Sequence, residues 1–256
     1  AMRGYALERG DVPLKAAEAY SSLTDPLGPV LAARALVAGK EFSKAHEAIG
    51  KAKELTGADR AAAKIFEALA LEGKGRKKQA FDVLDLAVAE GREIPYPRLF
   101  RGAMRLRQGG DAKTALSDIQ KGNRLGVTAW GHYLEGEAKL ALLNLGGALA
   151  SYREALQAPE PDLARTVAGI NPFEEPQAPD YKVLARCRLG AYENLSGKLR
   201  AAKIHCSRAR NDNPFSPYAQ AALTHLDLLQ DEVALSPDSE ELIRRALELS
   251  TRAGGS

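Results

Sequence analysis

Residues 183–216 read VLARCRLGAYENLSGKLRAAKIHCSRARNDNPFS. Apolar residues recur at helical spacing up to Leu195, Ser196-Gly197 interrupts them, and Leu199, Ala202, Cys206 and Ala209 resume along a second helix. Glycine suits the interruption because it adopts positive φ without a Cβ penalty. Pro214 then stops the second helix. The stretch predicts a helix, a tight turn and a second helix folded back on the first.

The pattern recurs outward from this stretch. An alanine is followed four residues later by a large residue and three further on by a third member, small in all but the first set. The sets are Ala16/Tyr20/Leu23, Ala45/Ile49/Ala52, Ala80/Leu84/Ala87, Ala115/Ile119/Gly122, Ala148/Tyr152/Ala155 and Ala202/Cys206/Ala209. These offsets put each triplet on one helix face, where small residues admit a neighbouring helix and the large one fills the gap. The leading alanines are spaced by 29, 35, 35, 33 and 54 residues. Ahead of each triplet a turn is expected at Gly10-Asp11, Gly39-Lys40, Gly73-Lys74-Gly75, Gly109-Gly110-Asp111, Gly146-Gly147 or Ser196-Gly197. Composition agrees: 45 Ala and 35 Leu stand against 23 Val, Ile and Thr in 256 residues, which disfavours any large sheet.

This register resembles the tetratricopeptide repeat (TPR) family, whose unit is a helix-turn-helix of about 34 residues. In 183–216 the likeness rests on Leu189-Gly190, Gly197, Leu199, Ala202, Ala209 and Pro214, while Arg186 stands where the family has a tryptophan. The resemblance implies an all-α fold, a right-handed α-solenoid of six to seven antiparallel TPR-like hairpins, running as one domain over 1–256. The last hairpin, 217–256, reads as a degenerate cap whose second helix starts near Ser239. Gly4 already sits where a first helix should be half complete, so native sequence is expected to extend upstream. The long spacing leaves a Pro-rich, acidic insertion at 159–180, PEPDLARTVAGINPFEEPQAPD, which cannot be one continuous helix.

Signals for chemistry are poor. His46-Glu47-Ala48-Ile49-Gly50 opens like a zinc-protease motif but has Gly50 where the second histidine must stand. Gly73-Lys74-Gly75-Arg76-Lys77-Lys78 lacks the spacing of a phosphate-binding loop and has no strand before it. His132, His205 and His225 show no metal-ligand spacing. Cys206 takes the large-residue slot and reads as a core thiol. A disulfide to Cys187 stays open, although packed helix axes about 8–10 Å apart usually leave Cα atoms too distant. Asn-Pro-Phe occurs at 171–173 and 213–215 and is taken as a helix stop. No catalytic residue, cofactor or metal is expected, and the chain is read as a non-enzymatic scaffold.

Family members bind peptides or helices on a concave face lined by first helices. Carried over, the resemblance implies a lining of Arg34, Leu69, Phe100, Met104, Arg107, Trp130, Tyr133 and Glu137, rich in the residue types that dominate binding hot spots. The family's carboxylate clamp is not expected, because Val30, Ile65 and Phe100 stand where a lysine is needed. The expected partner is therefore a protein or peptide segment held in this groove.

An alternative is electrostatic binding of nucleic acid or an acidic partner through the hairpin 181–210, where Lys182, Arg186, Arg188, Lys198, Arg200 and Lys203 contribute to eight cations against one glutamate. The net charge of +3 alone does not favour nucleic acid. Within the insertion, Ile170 and Phe173 are the expected anchors onto the scaffold. No apolar run is long enough to span a membrane. The Ala/Arg-rich style reads as bacterial, with cytoplasm favoured over periplasm and the oligomeric state not legible.

Overall fold

A computed structural model of the chain describes residues 2–9, 12–52, 54–159, 173 and 180–230. Among these described residues there are thirteen α-helices and no strand. In order they are α1 Met2–Arg9, α2 Pro13–Ser21, α3 Gly28–Ala38, α4 Phe42–Gly50, α5 Gly57–Gly73, α6 Lys77–Glu90, α7 Tyr96–Arg107, α8 Ala112–Leu125, α9 Ala129–Ala141, α10 Leu145–Gln157, α11 Tyr181–Leu195, α12 Leu199–Asp212 and α13 Pro217–Gln230. Within α1–α2, α3–α4, α5–α6, α9–α10 and α11–α12 the partners pack along each other across short loops, which makes them antiparallel hairpins. The fold is all-α, a series of helix-turn-helix units.

The triplets explain the packing. Ala16, Ala45, Ala80, Ala115, Ala148 and Ala202 are all fully buried. Their large partners meet a small residue on the first helix. A Cβ added at Gly4 would lie 2.6 Å from the Tyr20 ring and one at Gly190 2.7 Å from Cys206 Sγ, while one at Gly136 would overlap Tyr152. The offset from small to large residue is the same in all three pairs. Alanine stands at that offset in the other hairpins, as Ala33, Ala68 and Ala103, all buried. Tyr20 and Tyr152 carry rings that only glycine can accommodate at this distance; Ile49, Leu84 and Ile119 tolerate a methyl group.

The loops differ from expectation at two places. In α3–α4 the left-handed residue is Lys40, φ 59°, rather than Gly39. Between α9 and α10 it is Leu143, φ 58°. Gly146 and Gly147 fall inside the first turn of α10, where Asn144 Oδ1 accepts from the Gly147 N–H at 3.0 Å and caps the helix. Gly75, Gly109 and Gly197 take positive φ at the other turns. Gly10-Asp11 lies outside the described residues.

By its packing the chain divides into two compact units. Unit 1 is Ala1–Arg105, Ser117–Gly126 and Pro161–Ala178; unit 2 is Leu106–Leu116, Val127–Glu160 and Pro179–Ser256. In unit 1, α3 packs on α2, α4 and α5, and Leu99 fills the space beside Gly122. In unit 2, α11 packs on α9, α10, α12 and α13. The second helix expected for the 217–256 cap lies outside the described residues, as does most of the 159–180 insertion. No helix among the described residues is long and apolar enough to cross a membrane.

Candidate partner-binding surfaces

In unit 1 the residues expected to line a groove are mostly interior. Arg34 is 2% exposed and reaches Glu8 with two hydrogen bonds, Nε to Oε1 at 3.1 Å and Nη2 to Oε2 at 2.6 Å. The Tyr20 hydroxyl donates to the same Oε2 at 2.5 Å. Burial, and then the hydrogen bond to Glu8, push the Tyr20 phenol above its ordinary range. Arg34 thus closes an internal three-helix node and presents no face to a partner. Phe100 and Met104 are likewise buried. Both belong to the hydrophobic core. Of the unit 1 set, Leu69 keeps partial exposure.

Sequence reading missed a second cluster in unit 1. Asp118 is buried and accepts from Arg101 Nε at 2.9 Å, Arg101 Nη2 at 2.6 Å and Arg105 Nε at 3.2 Å. Arg101 also reaches Asp85 at 2.5 Å, so one guanidinium links α6, α7 and α8. Burial disfavours the Arg101 charge, but its two carboxylates outweigh that and hold it more firmly protonated. The chain gives no local signal for this cluster, since its members come from three helices. Phe173 is buried and its ring lies parallel to Tyr96 with centroids 4.6 Å apart. Ile170 lies outside the described residues.

Unit 2 gathers the aromatic residues. Trp130 and Tyr133 on α9 and Tyr181 at the start of α11 form a continuous cluster, with centroids 6.1 Å apart for Trp130–Tyr181 and 5.7 Å for Tyr133–Tyr181. Tyr133 is buried and also adjoins Tyr152, whereas Trp130 and Tyr181 remain half-buried. Asp180 positions Tyr181 by capping α11, its carboxylate accepting from the N–H groups of Lys182 and Val183. One turn along from Tyr133, Glu137 accepts from Arg188 Nε at 3.0 Å, Arg188 Nη2 at 2.8 Å and the Tyr152 hydroxyl at 2.5 Å. Burial, and then the Glu137 charge, raise the Tyr133 and Tyr152 phenols. Arg107 is exposed at the end of α7.

The basic hairpin is partly neutralised. Arg186 pairs with Asp212 at 2.6 Å, Arg188 with Glu137 at 2.8 Å and Lys198 with Glu193 at 3.3 Å. Lys182 is half-buried, whereas Arg200, Lys203, Arg208 and Arg210 lie exposed along α12. His205 between them is held below the ordinary histidine range, by burial first and then by Arg186, with Arg208 and Arg153 adding to the effect. Both cysteines are free thiols, and burial pushes Cys187 up to about 12 and Cys206 up to about 11. Such thiols stay protonated and are poor nucleophiles. Among the described residues no group of three or more metal-ligating side chains converges.

No protein-family model matches the chain, and no curated protein matches it. Among solved structures, the chain is similar to the C-terminal part of a TPR repeat-containing protein from Cytophaga hutchinsonii. Their identity is 15% and the TM-score 0.46, and the match covers 87% of this chain and 98% of that one.

Proposed function

We propose that the chain is a non-enzymatic scaffold that holds a peptide or helical segment of a partner protein on the first-helix side of unit 2. The observation that carries this reading is the half-buried pair Trp130 and Tyr181 on neighbouring first helices. Half-buried aromatics are already ordered by their neighbours, so a partner side chain gains apolar contact at little entropic cost. The Glu137–Arg188 pair beside them offers one acceptor and one donor group to a partner's backbone. The test is capture of partners from an extract of the native host by the parent and by a Trp130→Ala, Tyr181→Ala variant. Each truncated hot spot costs on the order of 1–2 kcal/mol, so the double variant is expected to retain partners about tenfold less well or worse. Equal retention by a folded double variant overturns the assignment.

A second reading is favoured by one observation, the run of exposed cations along α12. Arg200, Lys203, Arg208 and Arg210 then form an electrostatic surface for an acidic partner or nucleic acid. Binding of that kind falls steeply as salt rises, whereas contact with Trp130 and Tyr181 does not.

A further inference from the structure

The hairpin turns of the two units present different side chains to water. In unit 1 the α3–α4 turn carries Lys40-Glu41 and the α5–α6 turn Lys74-Gly75-Arg76. In unit 2 the α9–α10 turn reads Leu140-Ala141-Leu142-Leu143-Asn144-Leu145, and the α11–α12 turn Leu195-Ser196-Gly197-Lys198-Leu199. Leu143 is 91% and Leu195 87% exposed, and Leu140, Leu145, Leu199 and Ile204 are exposed around them. Packing accounts for neither Leu143 nor Leu195, and Leu143 is besides held at φ 58°.

The two turns lie side by side. Trp130 meets Tyr181 and Glu137 meets Arg188, both pairs 51 residues apart. The helices α9 and α11 therefore run in the same direction and in step, and they end at one edge of the unit. Continuing the step sets Leu195 beside Asn144. Leu145 and Leu199 are equivalent too, each standing three residues before a buried alanine of the second helix, Ala148 or Ala202. The charge of this edge has one sign. Residues 138–147 and 194–204 contain Lys139, Lys198, Arg200 and Lys203 and no acidic residue. Lys139 is largely buried against Glu135, whereas Lys198 pairs with Glu193 yet keeps its side chain 64% exposed. Arg200 and Lys203 are exposed along the same stretch of α12 as Leu199 and Ile204.

We propose that this edge docks unit 2 onto the surface of an anionic lipid bilayer. The leucines enter the interface, and Lys198, Arg200 and Lys203 face the headgroups. Two observations choose a bilayer over a protein. Leu143 and Leu195 project from the turns, and a projecting side chain needs a pocket in a folded partner but none in a fluid interface. The apolar edge is also bordered by cations without acids, the complement of an anionic leaflet. No span is required, since the contact reaches one leaflet only. Trp130 and Tyr181 lie at the opposite ends of α9 and α11, so docking leaves the proposed partner surface uncovered.

Co-sedimentation with vesicles tests this. The protein is expected to sediment with phosphatidylcholine–phosphatidylserine vesicles and about tenfold less well with phosphatidylcholine alone. Leu143→Asn with Leu195→Gln changes side chains too exposed to unsettle the fold, and asparagine suits positive φ. This double variant is expected to bind the anionic vesicles about tenfold less well or worse. Arg200→Gln with Lys203→Gln weakens binding to the anionic vesicles and narrows the difference between the two compositions. The proposal is overturned if the parent stays in the supernatant with anionic vesicles. It is equally overturned if the leucine variant binds them as well as the parent, which reduces the contact to the electrostatic surface of α12. A parent that self-associates without lipid, through the same two leucines, also overturns it and assigns the edge to a second copy of the chain.

Discussion

Unit 1 and unit 2 each contain a glutamate–tyrosine–arginine node of the same construction. In both, the first helix of a hairpin gives the carboxylate, its second helix the tyrosine, and the first helix of the following hairpin the arginine. Glu8, Tyr20 and Arg34 form one; Glu137, Tyr152 and Arg188 form the other. In each the guanidinium grips both carboxylate oxygens and the tyrosine hydroxyl donates to one of them. Their surroundings differ. The Arg34 and Glu8 side chains are 2% and 3% exposed, those of Arg188 and Glu137 25% and 23%. One node is sealed and locks adjacent hairpins together; its counterpart keeps contact with water beside Trp130 and Tyr181. The same device serves cohesion when buried and, when open, leaves a charged edge in contact with water.

Removing the arginine breaks this comparison most sharply. Arg34→Met keeps much of the volume but leaves Glu8 buried without its counter-ion, at an expected cost of about 3–5 kcal/mol. Arg188→Met leaves Glu137 with access to water, and the cost falls to about 1–2 kcal/mol. Urea unfolding of the two variants measures both. Equal losses mean that exposure does not set the strength of these nodes.

The sequence makes one of these levels readable and hides the other. Ala16, Ala80 and Ala202 announce their helix faces because every hairpin needs a small residue at the same offset from a large one, a local rule that repeats. The nodes do not repeat in that way. Tyr152 lies further along the chain from Glu137 than Tyr20 does from Glu8, and the insertion separates Arg188 from both. Arg34, Phe100 and Met104 have the composition of binding residues, yet composition alone does not separate a hot spot from a core, because first helices bury more than one face. The Leu143 turn escaped notice for a related reason: Gly146-Gly147 looks like the turn, and nothing in a leucine signals positive φ.

A smaller contrast concerns acid. Unit 2 half-buries His205 and His225, and partial burial is the leading reason both are held below the ordinary histidine value. With the folded value depressed, the unfolded chain takes up the proton first as pH falls. Stability from these residues is therefore complete above about pH 6.5 and is lost as pH drops toward the lower folded values. Unfolding at pH 7.5 and 5.5 is expected to give a lower urea midpoint at the acid pH. A His205→Asn, His225→Asn variant is expected to show a shallower dependence. An unchanged slope in that variant assigns the acid sensitivity to other groups.

The smallest effect expected lies in the turns. Gly75 in unit 1 and Leu143 in unit 2 occupy the same left-handed conformation at the same point of a hairpin, φ 75° and 58°. Glycine adopts it freely, whereas a leucine Cβ crowds the following carbonyl, at roughly 1–2 kcal/mol. Leu143 recovers little of this through packing, since it is 91% exposed. Glycine also loses more freedom on folding, which offsets about 0.5–1 kcal/mol of the gain. Leu143→Gly is therefore expected to stabilise the protein by a few tenths to about 1 kcal/mol, and Gly75→Leu to destabilise it by a similar amount. Thermal unfolding resolves both directions. If Leu143→Gly lowers the midpoint, the freedom glycine gains in the unfolded chain outweighs the left-handed strain of the leucine at this turn.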